Sequence, residues 1–163
     1  MLKAIFSIHL QEKILPGKVA IGKFDGRHPC LVAVTPAEKV LLHDPQYRSQ
    51  NQSQNKPFED TKGKAFGKTI SPEVTFLNFN QTIKSITTGS LKPDSSNDLL
   101  VIGTPTSMFV YDVENNTDVF YKDIPDGANV VVVGKVGNNP QPMALSGGNS
   151  ALQGFDMKGE DVY

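Results

Sequence analysis

The sequence predicts an all-β protein made of the four-stranded antiparallel blades of a β-propeller. Short apolar runs alternate with polar turns, and 14 glycines and 11 prolines are scattered over 163 residues without a fixed period. Glycine and proline at this density leave little room for long helices. A third observation is that the apolar runs recur as a repeat, which is the usual sign of blades.

The first predicted element is a strand at residues 4–10. Its apolar residues Phe6, Ile8 and Leu10 alternate with Ser7 and His9. No small-residue cleavage site follows, so the alternation favours a strand over a signal peptide. Because this strand precedes the repeats, we expect it to complete another blade and lock the ring.

Three copies of one pattern follow. Each copy has three apolar runs, of which the first ends in Gly and the third ends in Asp. The copies are Val19–Gly22, Cys30–Val34 and Val40–Asp44; Ile86–Gly89, Leu99–Gly103 and Met108–Asp112; and Val131–Gly134, Met143–Ser146 and Ala151–Asp156. The Asp follows the first Gly by 22, 23 and 22 residues. The second and third copies are about 45 residues apart, the blade period of propellers.

A fourth, outer strand is expected after each Asp: 74–79 in the first blade, 119–121 in the second, and one starting at Val162 in the third. The blades then lie near 17–80, 84–123 and 128–163. Segment 46–72 is rich in Gln, Asn, Ser and Lys, and we interpret it as a flexible insertion loop. Propellers need about four to eight blades, so the chain holds a partial propeller of three to four blades.

Charge and cysteine content exclude several classes of protein. A net charge of −1 lacks the basic footprint of a nucleic-acid binder. Cys30 is the single cysteine, so the chain can form no internal disulfide. With no secretory signal recognised, we expect a cytoplasmic protein.

Segment 46–72 contains a sequence that looks like a phosphate-binding loop, Gly63–Thr69. It has three residues between its glycines where the motif needs four, and Pro72 blocks the helix that should follow. The segment also carries Arg48, Lys56, Lys62, Lys64 and Lys68 against Glu59 and Asp60. We interpret it as a solvated basic loop, with weak attraction to anionic lipid as the alternative.

Other candidate sites also lack essential groups. Asp25, Asp94 and Asp98 resemble calcium-binding turns, but calcium needs six or more oxygen ligands, and turn formation explains these residues better. His9, His28 and His43 have no metal-ligand spacing. A Cys30–His28 nucleophile pair has no evident orienting carboxylate, so Cys30 is interpreted as a buried small residue. We assign no catalytic, cofactor-binding or metal residues, and predict that the chain is not an enzyme.

Four stretches carry a resemblance to a known family: 19–31, 111–121, 126–129 and 147–155. They resemble the N-terminal β-propeller of the Bardet–Biedl syndrome 2 proteins, a family of BBSome subunits. The resemblance covers most of the chain outside 46–72. It implies a propeller of seven blades, followed in the family by a coiled coil, an adaptin-ear-like domain and a helical region that this sequence lacks.

The resemblance also implies a function. It points to a non-enzymatic scaffold subunit of a coat-like complex that carries membrane proteins to and from cilia. Its partners would be other BBSome subunits, notably the seventh and ninth Bardet–Biedl proteins, with membrane cargo bound indirectly. The expected locations are cytoplasm, cilium, ciliary membrane and basal body.

Without the resemblance, two alternatives stay open. One is a cytosolic scaffold propeller of the WD or kelch kind, although the chain has no Trp and Gly147-Gly148 is its only kelch-like doublet. The other is a calcium-binding propeller. In every case open blade edges would expose apolar surface, so we expect this chain to self-associate.

Overall fold

The computed structural model describes residues 9–10, 12–46 and 74–162, and within these ranges the chain forms strands and no helix. No helix that could cross a membrane occurs in this part of the chain. The strands are β1 (Val19–Gly22), β2 (Cys30–Val34), β3 (Lys39–His43), β4 (Val74–Asn78), β5 (Ser85–Gly89), β6 (Leu99–Gly103), β7 (Ser107–Asp112), β8 (Thr117–Asp123), β9 (Val130–Gly134), β10 (Met143–Gly147) and β11 (Leu152–Phe155). The predicted all-β class is confirmed.

The strands form three separate antiparallel sheets, each with its strands in chain order. The first sheet is β1-β2-β3-β4, the second is β5-β6-β7-β8 and the third is β9-β10-β11. Successive strands are joined by turns and loops of three to nine residues, apart from the long connection between β3 and β4. None of the sheets is closed, which agrees with the predicted partial propeller.

Some predictions fall partly or wholly outside the described residues. This holds for the strand at 4–10, except His9 and Leu10, and for the loop at 46–72, except Gln46. In the third sheet, the expected start of a fourth strand is represented by a single bridge between Phe155 and Asp161. Beside it, the Val162 N–H donates to the Gly154 carbonyl at 2.8 Å. The division into three blades as domains stays a prediction.

The second sheet is buried on both faces. Along β6, successive side chains point to opposite faces. Leu100 and Ile102 enter a core shared with the first sheet, which also contains Val32, Val34, Val40, Leu42, Phe24 and Ile83. Leu99 and Val101 enter a core shared with the third sheet, together with Leu91, Met108, Val110, Ile124, Ala128, Val131, Ala144 and Phe155. Burial of apolar side chains between stacked sheets therefore holds the three sheets together.

The recurring Asp of the repeat forms the turn after each third strand. Asp44 Oδ1 accepts from the Gln46 N–H at 2.8 Å, and Asp112 Oδ1 from the Asn115 N–H at 3.0 Å. Asp156 Oδ1 accepts from Lys158 N–H at 2.8 Å. An Asp side chain that bonds backbone groups two or three residues on is a standard way to build such turns.

Candidate interaction surfaces

Two Asp-containing turns that looked like calcium sites come together in the structure. The 23–28 turn of the first sheet lies against the 94–98 loop of the second. Asp98 Oδ2 accepts from the Lys23 N–H at 2.8 Å, and the Asp98 N–H donates to the Lys23 carbonyl at 2.9 Å. The first bond occupies one oxygen of the Asp98 carboxylate, and the two bonds together tie the first sheet to the second.

Asp25 is occupied within its own turn. Its Oδ1 accepts from the His28 N–H at 2.7 Å and the Arg27 N–H at 2.8 Å, while Oδ2 contacts His28 Nδ1 at 2.5 Å. The bond from the His28 backbone, with smaller contributions from Arg27 N–H and the His28 ring, lowers the Asp25 pKa to about 2. The expectation that no carboxylate orients His28 is therefore wrong.

The orienting carboxylate does not create a Cys–His pair. Cys30 Sγ lies 3.8 Å from the His28 carbonyl, and the structure gives it no bond to the ring. Burial, followed by the nearby charges of Asp44, Asp25 and Glu114, raises the Cys30 pKa to about 11. A thiol that stays protonated at neutral pH is a poor nucleophile.

The remaining candidate residues are scattered. His43 is buried on β3, whereas His9 and Asp94 are exposed. Gly63–Thr69 and the basic residues of segment 46–72 lie outside the described residues. In the described ranges no group of three or more His, Cys, Asp or Glu side chains is arranged to hold a metal ion.

A set of hydrogen bonds between two loops of the third sheet, here called the clasp, was not predicted from the sequence. The Asp126 carboxylate accepts from the Ser150 and Ala151 N–H groups at 2.8 and 2.9 Å and contacts Ser150 Oγ at 3.0 Å. These backbone bonds lower the Asp126 pKa. The clasp fixes the loop before β9 to the turn between β10 and β11. The Asp126-Gly127 and Gly147-Gly148 pairs, both typical of turns, were the signals available in the sequence.

The Gly at the end of β1 and the Gly at the end of β5 are explained by the neighbouring sheet. A Cβ on Gly22 would lie 2.9 Å from Thr88 Cβ, and one on Gly89 would lie 2.7 Å from Val133 Cβ. Real Cβ atoms essentially never come this close, so both positions require glycine. Both close neighbours are β-branched residues of the next sheet. Thr88 directly precedes Gly89, and Val133 directly precedes Gly134.

Polar side chains add ties between the sheets. Lys18 Nζ donates to the Ile83 carbonyl at 2.6 Å, and Thr88 Oγ1 donates to the Ile21 carbonyl at 2.6 Å. Between the second and third sheets, Ser85 Oγ donates to the Ala128 carbonyl at 2.8 Å. The accepting carbonyls lie in β1 and in the loops that precede β5 and β9, so the bonds join neighbouring sheets along their inner strands.

The outer face of the third sheet is apolar and uncovered. This free face carries Val130, Val132, Leu145 and Leu152, and Val130, Val132 and Leu152 are 59%, 48% and 70% exposed. With Asn129, Val136, Gly147 and Gly148, the four residues line a groove of about 400 Å³ that contains no charged side chain. At the other end of the stack, Val19 and Ile21 on the outward face of the first sheet are 50% and 66% exposed, whereas Ala33 and Leu41 on the same face are buried. The free face of the third sheet is therefore a candidate interaction surface.

A second candidate surface lies at β8, which has only β7 as a partner in its sheet. Tyr121 is 51% exposed, and its ring packs edge-on against Phe109 at 4.9 Å. Phe109 packs in turn against Phe79 at 5.9 Å, and the Tyr121 hydroxyl donates to Asp123 Oδ1 at 2.5 Å. The hydrogen bond to Asp123 raises the Tyr121 pKa. Tyr121 is thus an exposed aromatic ring held in place by its neighbours.

The family was decided by comparison with known proteins. The family model described as "Ciliary BBSome complex subunit 2, N-terminal" matches residues 20–134, from β1 through β9. The chain belongs to this family. It is 45% identical over all 163 residues to the Danio rerio "BBSome complex member BBS2" and 41% identical to the Homo sapiens protein of the same name. The chain is 29% identical to the Caenorhabditis elegans "BBSome complex member bbs-2" over 163 residues.

The family resemblance predicted from the sequence is therefore confirmed. The chain spans 22% of the length of the fish and human relatives and 18% of the nematode protein. The family match includes both inner-strand glycines that contact a neighbouring sheet, Gly22 and Gly89, as well as Gly134. It also includes the edge strand that carries Tyr121.

Proposed function

We propose that this chain is a non-catalytic scaffold region of a BBSome subunit, acting in the transport of membrane proteins to and from cilia. The proposal is carried by the match to BBSome members over all 163 residues. It is supported by the site chemistry: Asp25, Asp98 and Asp126 are held by backbone hydrogen bonds, and the Cys30 thiol is protonated. The corresponding locations are the cytoplasm, the basal body and the ciliary membrane.

The proposed partners are sibling subunits, notably the seventh and ninth Bardet–Biedl proteins, with cargo bound indirectly. We propose the edge of β8 around Tyr121 as the contact with them. Tyr is enriched among the residues that dominate binding energy at protein interfaces. A ring fixed by Phe109 and Asp123 loses little conformational entropy on binding.

A retention experiment tests this proposal. The immobilised 163-residue chain is incubated with the purified seventh and ninth proteins, separately and together. Tyr121→Ala is expected to reduce retention about tenfold or more, as the loss of an interface hot spot does. Thr117→Ala removes an exposed side chain from the same strand and is expected to leave retention unchanged.

Two results would contradict the proposal. No retention of either sibling by the wild-type chain would remove the scaffold function. Equal retention by wild type and Tyr121→Ala would remove the β8 edge as the contact. Fluorescence imaging of the tagged chain in ciliated cells gives an independent reading, with enrichment at the basal body expected.

A further inference from the structure

Within the described residues, the outer edge of β8 carries backbone groups that no other strand pairs. Just after β8, the Ile124 N–H donates to the Thr106 carbonyl at 2.8 Å. Hydrogen-bonded and non-bonded residue pairs alternate along antiparallel strands. In the observed register of β7 and β8, the backbone groups of Lys122 are therefore directed at β7, and those of Tyr121 and Asp123 are directed away from it. The edge thus presents donors and acceptors to which another strand can bond.

β8 lacks the features that usually block an edge strand. Proline, an outward lysine or a bulge commonly prevents another strand from adding to an edge. β8 contains no proline, and the ammonium of Lys122 donates to the Gly159 carbonyl at 3.1 Å, on the side of the third sheet. The bulge of β8 lies at Val119, ahead of residues 120–123. These four residues form a regular edge that is open to pairing.

The edge of β8 is acidic, unlike the outer edge of the first sheet. Asp118 and Asp123 are exposed, and neither forms an ion pair with a residue of the described part of the chain. The position in β4 that corresponds to Asp123 is occupied by the neutral Asn78, since both residues pair with the first residue of the preceding strand. An acidic edge repels the same edge of a second copy and attracts a strand with basic side chains.

The Tyr121 ring provides a place for an apolar side chain beside the acidic one. Tyr121 is 51% exposed and packs on Phe109, on the side of the first sheet. Side chains two residues apart on a strand share one face, so Tyr121 and Asp123 lie on the same face. A strand that pairs with this edge places its own alternate side chains opposite them. The segment that fits carries an apolar side chain and a basic side chain two residues apart.

We infer that a basic extended segment of a sibling subunit adds to β8 as a fifth strand of the second sheet. Its apolar side chain lies on Tyr121 and its basic side chain lies beside Asp123. Backbone hydrogen bonds to the edge supply affinity, and the two side-chain contacts supply specificity. The inference rests on the proposed function, because it states how the β8 edge holds the partners proposed there.

Hydrogen exchange of the wild-type chain tests the strand addition without any substitution. The isotope-labelled chain is bound to the purified seventh or ninth protein, exposed to heavy water, quenched and analysed by NMR. The amides of Tyr121 and Asp123 are expected to exchange at least about tenfold more slowly in the complex, because they become hydrogen-bond donors. The amide of Lys122 already bonds to β7 and is expected to change less.

A proline on the outer edge gives a second test. Proline removes a backbone N–H and is tolerated in an edge strand where that N–H faces away from the sheet. Asp123→Pro is expected to reduce retention of the sibling proteins about tenfold or more below Asp123→Ala, which also lacks the carboxylate. Asn78→Pro makes the same change at the corresponding position of β4 and is expected to leave retention unchanged. Equal urea midpoints for Asp123→Pro and Asp123→Ala would show that the proline variant is folded.

Four results would overturn the inference. Unchanged exchange at Tyr121 and Asp123 in a complex that forms shows that the partner binds without adding a strand. Equal retention by folded Asp123→Pro and Asp123→Ala has the same meaning. An equal loss in Asn78→Pro removes the selectivity for β8. Protection of the two amides in the isolated chain as its concentration rises identifies a second copy as the occupant.

The proposed function fails in a different way. In each of the first three results above, the wild-type chain still retains a sibling protein, so the scaffold function stands and only the added strand is excluded. No retention of either sibling by the wild-type chain removes the scaffold function, and the inference falls with it.

Discussion

The two faces of the third sheet are built from similar residues but differ in what covers them. Facing the second sheet, Val131 and Phe155 are 4% and 0% exposed. On the opposite face of the same strands, Val130 and Leu152 are 59% and 70% exposed. Side-chain chemistry is not the difference, because both sets are apolar. The comparison teaches that burial in this fold is set by a residue's position in the stack of sheets.

The largest expected difference in stability comes from truncating one apolar side chain on each face of the third sheet. Phe155→Ala is expected to lower the free energy of unfolding by about 3–5 kcal/mol, because it opens a cavity in the core between the second and third sheets. It also removes the ring over which Lys122 Nζ lies at 5.2 Å. Leu152→Ala is expected to change stability by less than about 0.5 kcal/mol. Urea denaturation of both variants measures the difference, and equal losses would contradict the assignment of covered and free faces.

A smaller effect is expected at Ser146, on the covered face. Its hydroxyl is buried at 1% exposure and has no hydrogen-bond partner within the described part of the chain. Ser146→Ala is expected to raise the free energy of unfolding by about 1 kcal/mol, because an unsatisfied buried polar group is removed. The exposed Ser96→Ala serves as the control. A destabilised Ser146→Ala variant would reveal a partner for the hydroxyl.

The smallest effect concerns pH, at the turn joining β1 and β2. The Asp25 pKa lies at about 2 in the folded chain, below its ordinary 3.8. The carboxylate therefore contributes stability above about pH 4, and that contribution is lost as the pH falls toward 2. Solvent screening makes it modest, because the group is in contact with water. Asp25→Asn should lose less stability between pH 4 and pH 2 than wild type; identical acid titrations would contradict the role of the turn.

Much of the fold could be predicted from local patterns. Period-two apolar runs and the Gly–Asp spacing place β1–β3 and β5–β11 within one or two residues, because both depend on neighbours in sequence. The turn role of Asp25 followed from its residue type and is confirmed by its bonds to Arg27 and His28. The contacts of Gly22 with Thr88 and of Gly89 with Val133 explain why these runs of the repeat end in Gly.

The ties between sheets could not be predicted in the same way. Lys18 bonds a carbonyl 65 residues away, and Asp126 bonds groups 24 and 25 residues away. The Lys18 bond depends on how one sheet stacks on the next, and the Asp126 bonds depend on how two loops of the third sheet come together; no local pattern encodes either. The aromatic row from Phe79 through Phe109 to Tyr121 likewise crosses between the first and second sheets.

The central claim is that Gly22 and Gly89 are needed because a neighbouring sheet lies too close for a Cβ atom. Its most direct test compares Gly89→Val with Gly134→Val by urea denaturation. Gly89→Val is expected to lose about 1–3 kcal/mol by overpacking against Val133. Gly134→Val is expected to stay within about 0.5 kcal/mol of wild type, because its side chain enters open space. Equal losses at the two positions would contradict the claim.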